Sequence, residues 1–312
     1  MTESNADSAI RHSGNDDAPQ PPGMTIGPAP VPDDRAVQAM VDMLADDDPA
    51  IRARVILHLA QAGQRAVTAL MAAERTTAHP HRIAEVLAAI HREHALGALD
   101  RFRSLEPAGA AETGALLVAQ VQHPHIDTHE LLQFLDQLAD AAPAPVRESD
   151  PERALRSLAV YLSSVCGFDG ARTDYPNPAN SLLDQVVKRR IGLPISLAVV
   201  YLAVARRVGM PLEGVGLPAH FVLRHPGAAD PQYLDPFNRA RLLYEDECGA
   251  IVRAHGVTLR RHHLAAVSPQ EIAARICRNL ILAYRRQQDH EREDLARDAH
   301  RRLRPGQDLL TV

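Results

Sequence analysis

The apolar pattern changes period between residues 194 and 237, and nothing else in the chain restricts the fold as tightly. From Pro194 the run ISLAVVYLAVARRVG is apolar on nearly every side until Gly209-Met210-Pro211 stops it. A helix that is apolar all round belongs in an interior. Past Pro211 the spacing becomes that of strands. GVGLPAHFVLRH and QYLDPF read as two strands separated by the turn residues PGAAD. A buried helix running into an antiparallel hairpin implies an α+β core in which helices pack on a small sheet.

The hairpin brings two chemically useful side chains together. His220 and Asp235 are equidistant from a turn centre between Gly227 and Ala228. A symmetric hairpin sets such residues opposite each other, with Cβ atoms ~4.5–5.5 Å apart. An aspartate there holds the imidazole by one ring nitrogen and leaves the other free to act as a general base. A slip of one residue would put the two on opposite faces. A Cys–His–Asp site also wants its cysteine in the first turn of a helix, where the helix dipole lowers the thiol pKa. The helix starting at Pro194 supplies the place without the thiol. Its nearest hydroxyl is Ser196.

The remaining segments read mostly as helix. Aromatics are only 4% of the 312 residues and tryptophan is absent, so Ala and Leu must fill the interior. Residues 1–33, rich in Ser, Asn, Asp, Gly and Pro, are expected to form a disordered tail. Residues 34–106 read as an all-helical unit. Val37, Met40, Val41 and Leu44 follow helical spacing, and Asp46-Asp47-Asp48-Pro49 separates them from Ile51, Val55 and Leu59. Two short helices joined by D-D-P, with Arg52 and Arg54 following, resemble a HEAT-like repeat; the plain alternative is a helical bundle. Residues 107–145 form a helical lead-in with Thr128 as a candidate N-cap, 146–265 the α+β core, and 266–312 a C-terminal helical pair. That pair opens on Ser268-Pro269-Gln270-Glu271, the signature of a capping box.

Several function classes are disfavoured. A formal charge of −5 does not suit a nucleic-acid binder. The apolar run from Leu193 to Ala205 falls short of the ~20 residues a membrane helix needs. With no secretory pattern at the N-terminus, a cytoplasmic protein is expected. Cys166, Cys248 and Cys277 are far apart and form no C-x-x-C pair. The histidines at 79 and 81, at 123, 125 and 129, and at 262 and 263 lack metal-site spacing, and Gly214-Val215-Gly216 lacks the third glycine of a dinucleotide loop. Neither a metal nor a cofactor is expected.

The run DYPNPANSLLDQVVKRRIGLPISLAVVYLAVARRVGMPLEGVGLPAHFVLR, with LDPF and Cys248 following, resembles the SirB family of bacterial transglutaminase-like proteins. The likeness covers about Ala115 to Pro305. Its most specific pieces are Asn180-Ser181, RRIGLPISL at 189–197, the P-x-H-F element at 218–221 and the DPF at 235–237. The resemblance implies a papain-like core with helical, tetratricopeptide-type segments, and it makes His220 and Asp235 the counterparts of a transglutaminase His and Asp. It also implies that the cysteine's place falls on or near Pro194, and that Asn180, Arg190 and Tyr201 belong to a binding site. Ala219 stands where the family pattern has glycine. The resulting expectation is a module that has lost its nucleophile and binds a protein or peptide. The alternatives are a hydrolase or acyl transferase using Ser196, His220 and Asp235, and a helical-repeat adaptor.

Overall fold

A computed structural model describes residues 33–74, 79–106, 109–228 and 232–307. Apart from Asp33, the expected disordered tail lies outside them. The described protein is α+β, with helices predominating.

The chain opens with α1 (Asp34–Asp42), α2 (Pro49–Ala62) and α3 (Gln64–Glu74). Aspartates start the first two: Asp33 accepts from the amide of Ala36 and Asp48 from that of Ala50, each at 2.8 Å. Such caps satisfy amides that lack partners inside the helix. Next comes the long α4 (Pro80–Arg103). Its Ile83, Val86 and Ile90 join a small core with Val37, Leu59 and Leu70, whereas Leu96, Leu99 and Phe102 belong to the main core. The helical unit expected over 34–106 therefore shares its last helix with the body of the protein.

The main core is built on α5 (Ala111–Gln122), α6 (Thr128–Asp140) and α7 (Pro151–Val160). Asp127 caps α6, its carboxylate accepting from the Glu130 amide at 3.0 Å, so Thr128 is the first helical residue and not the cap. A π turn at Tyr161–Val165 extends α7. There follow β1 (Asp169–Gly170), α8 (Leu183–Arg189), β2 (Ile191–Gly192) and α9 (Pro194–Arg207), with β1 and β2 paired in parallel. The chain then forms an antiparallel sheet of β3 (Glu213–Val215), β4 (Val222–Arg224), β5 (Tyr233–Asp235) and β6 (Arg241–Leu243). The outer edge of β3 is covered: the Val267 amide donates to the Gly214 carbonyl at 2.9 Å. α10 (Glu245–Ala254), α11 (Pro269–Gln287) and α12 (His290–Leu303) follow among the described residues.

α9 is the axis of the fold. It packs against α5, α6, α8, α11 and β4, and its residues from Pro194 to Tyr201 are all buried. This is what its uniformly apolar sequence requires. No helix among the described residues is long and apolar enough to cross a membrane.

Candidate functional site

The start of α9, the segment leading into β4 and one face of α11 enclose a cavity of about 650 Å3. Pro194 and Ile195 line it from α9, His220 and Phe221 from the approach to β4, and Leu282 with three arginines from α11.

The His220 Nε2 donates to Asp235 Oδ2 at 2.9 Å, which leaves Nδ1 as the free nitrogen. The strands are not in the register that the turn midpoint implied. Leu223 faces Leu234 and Arg224 faces Tyr233, so continuing the register to His220 points to position 237. The displacement is two residues. His220 itself lies before β4, so it reaches Asp235 from the segment leading into that strand and not as a direct cross-strand partner.

Asp235 is held from several sides and is only 1% exposed. Beyond His220 it accepts from the side chain of Asn238 at 2.7 Å and from the amides of Phe237 at 3.1 Å and Asn238 at 3.3 Å. Burial raises its pKa, but the hydrogen bond and charge of His220 and the bonds from Asn238 outweigh that and hold it below its ordinary value. The turn after β5 is pinned by Gly170, where an added Cβ would meet the Phe237 carbonyl and ring. Phe237 in turn lies edge-on to His220, with ring centres 6.2 Å apart, and edge-on to Tyr175 at 5.9 Å.

The backbone before His220 is strained. Ala219 has φ +61°, a left-handed conformation that costs an L-residue roughly 1–2 kcal/mol. That is why the resemblance called for glycine there. Ala219→Gly is expected to raise stability by roughly 1 kcal/mol, since the relief exceeds the extra chain entropy glycine brings. Urea denaturation midpoints check this, and an unchanged or lower midpoint would contradict it.

Ser196 lies away from the cavity. It is 1% exposed, its Oγ has no hydrogen-bond partner, and it is absent from the cavity wall. The helical turn that presents Pro194 to the cavity carries Ser196 into the interior. Ser196→Ala is expected to be neutral or stabilising by up to about 1 kcal/mol, because it removes a buried hydroxyl that makes no bond. A substantial loss of stability in thermal unfolding would contradict this.

The three residues expected to bind do not line this cavity. Asn180 is fully buried; its Nδ2 donates to the Asp174 carbonyl at 2.5 Å, its Oδ1 accepts from Arg189 at 3.0 Å, and its carbonyl accepts from the Leu193 amide at 2.9 Å. It fixes the Tyr175 loop to the start of α9. Arg190 faces a different cavity, donates to the Cys166 carbonyl and stacks on Phe134 and Phe168. Tyr201 is fully buried with an unpartnered hydroxyl, and burial drives its pKa upward.

No cysteine lines the cavity. Cys248 and Cys277 are fully buried, and burial pushes both thiols up to about 12. A thiol in that state is not a nucleophile. The residues missed in the sequence are Tyr175, His255 and the α11 face of Arg275, Arg278, Leu282 and Arg285. Their spacing of three, four and three along one helix was the available signal.

A helix start, a histidine leading into a small antiparallel sheet, its aspartate partner at the end of β5 and a cleft beside them are the arrangement expected of a transglutaminase-like protein. The family model described as the transglutaminase-like superfamily matches residues 129–278. A UPF0162 protein of Xylella fastidiosa (strain 9a5c) is 35% identical over 204 residues, covering 62% of this chain and 71% of that protein. A UPF0162 protein of Pseudomonas aeruginosa is 36% identical over 172 residues, 53% of this chain and 62% of that one. F-box only protein 21 of Mus musculus is 35% identical over 155 residues, 47% of this chain and 24% of that protein. No solved structure matches. The chain belongs to the UPF0162 family.

Proposed function

We propose that the cleft is a peptide-binding site descended from a cysteine-dependent one, and that it no longer catalyses. The observation that carries this reading is the His220–Asp235 pair with its free Nδ1, facing a cavity where proline stands at the first position of α9. A general base needs a nucleophile within hydrogen-bond reach; Pro194 has no group to offer, and Ser196 points into the core. The cavity itself is kept open, and its volume falls within the ~300–1,000 Å3 typical of ligand sites. The SirB-like resemblance agrees with this reading. The HEAT-like helices α1–α4 would add a docking surface.

Hydrogen exchange of the full chain, with and without a tryptic casein digest at millimolar concentration, tests the reading. Protection is expected at 194–197, 217–221 and 275–285. Protection absent from these segments would overturn it.

A further inference from the structure

The side chains of α11 that face the cleft have no counterpart in the His–Asp chemistry. Arg275, Arg278 and Arg285 line the cavity beside His220, and no aspartate or glutamate among the described residues lines it. The carboxylates that fix these arginines lie behind them. Glu271 accepts from Arg275 Nε at 3.2 Å, Arg278 Nη2 at 2.7 Å and Arg304 Nε at 3.3 Å. Glu293 accepts from Arg285 Nε at 3.1 Å and Nη2 at 3.0 Å, and from Arg297 as well. Each carboxylate thus serves more than one guanidinium, which leaves positive charge in excess on this wall.

Free donors remain on these arginines. Both terminal nitrogens of Arg275 and the Nη1 of Arg285 have no acceptor among the described residues. The Arg275 guanidinium lies flat against Gly216, where any Cβ would collide with it. Its Nε bond to Glu271 orients it before a ligand arrives. Guanidinium groups prefer carboxylates, which they bind through paired N–H donors. Beside them, Pro194, Ile195 and Leu282, the last 52% exposed, offer apolar contact.

We propose that the occupant of the cleft is an extended peptide segment with alternating acidic and apolar side chains. Its carboxylates pair with Arg275, Arg278 and Arg285, and its apolar side chains lie over Pro194, Ile195 and Leu282. This rests on the reading of the cleft as a peptide site and adds the chemistry of the peptide.

The test is fluorescence anisotropy with the full chain and two labelled, end-blocked octapeptides: alternating Glu-Leu and its neutral Gln-Leu analogue. At about 50 mM salt the Glu-Leu peptide is expected to bind at least about tenfold tighter, as two or more charge-assisted pairs provide. The preference is expected to collapse near 0.5 M salt. It is also expected to collapse in the double variant Arg275→Gln/Arg285→Gln, which leaves Glu271 paired with Arg278 and Arg304 and Glu293 with Arg297. Equal binding of both peptides, unaffected by salt, would overturn the acidic assignment while leaving the peptide site standing. Binding of neither would overturn both. The salt series uses wild type alone and decides the matter if the variant does not fold.

Discussion

Replacing Pro194 with cysteine is expected to create a thiol that iodoacetamide alkylates at least tenfold faster at pH 6 than it alkylates Cys166. The first turn of α9 presents amides without intrahelical partners, and the helix dipole favours a negative charge there. His220 lines the same cavity with Nδ1 free. These are the conditions that lower a thiol pKa from about 8.5 into the ~3.5–7.5 range. At pH 6 a drop of one unit already multiplies the thiolate fraction about tenfold. Adding His220→Ala to Pro194→Cys should remove much of the gain. Peptide mapping after timed alkylation separates the two cysteines. An ordinary rate that does not depend on His220 would mean that the helix start and the histidine do not form one site.

Removing Asp235 should have the largest effect on stability. Asp235→Ala leaves the His220 ring, the Asn238 amide group and two backbone amides without their acceptor. Leaving a buried donor without its acceptor costs about 1–3 kcal/mol, and several donors lose theirs here, so a loss of about 3 kcal/mol or more is expected. Asp235→Asn should cost less, because it keeps an oxygen for the turn. The pH dependence follows from the lowered pKa of Asp235. A carboxyl more acidic in the folded than in the unfolded state stabilises above its unfolded value, ~3.9, and that contribution is lost as the pH falls toward the folded value. The gap between wild type and Asp235→Asn should therefore narrow below about pH 4. Urea denaturation at pH 7 and below pH 4 measures both effects. A cost under about 1 kcal/mol at pH 7 for Asp235→Ala would show that the pair does not hold the turn.

Reading the sequence alone recovered the parts of this protein that rest on local pattern. The uniformly apolar α9 and the breaker at Gly209-Met210-Pro211 are short-range signals with counterparts in the structure, whereas GVGLPAHFVLRH, read as one strand, covers most of β3 and all of β4 with a turn between them. The meeting of His220 and Asp235 was legible because a hairpin pairs residues across its turn. The turn midpoint missed the register by two, and the pair forms from the segment before β4 instead of from facing strand positions. Ser268 caps α11 as its spacing suggested, accepting from the Glu271 amide at 3.2 Å. The reciprocal bond of the capping box is not made, because the Glu271 carboxylate goes to three arginines.

What stayed hidden depends on burial and on long-range packing. Asn180, Arg190 and Tyr201 sit in the most distinctive stretch of sequence, and polar residues there suggest contact with a ligand. In the structure they tie a loop, a helix end and a core together, which a pattern of letters cannot distinguish from binding. The arginine wall was illegible for the opposite reason. Arg285 reads as a solvated residue until α11 is laid beside the cleft, far along the chain from His220. The divided role of α4 likewise follows from which neighbours its two halves meet.

The proposal that this cleft no longer catalyses is most directly tested by incubating wild type and His220→Ala with a glutamine-rich peptide mixture and a primary amine, then mapping the peptides by mass. Neither protein is expected to give deamidation or amine incorporation above the uncatalysed background. Product formed by wild type and not by His220→Ala would show that a catalytic site survives, and would contradict the reading of this cleft as a binding site alone.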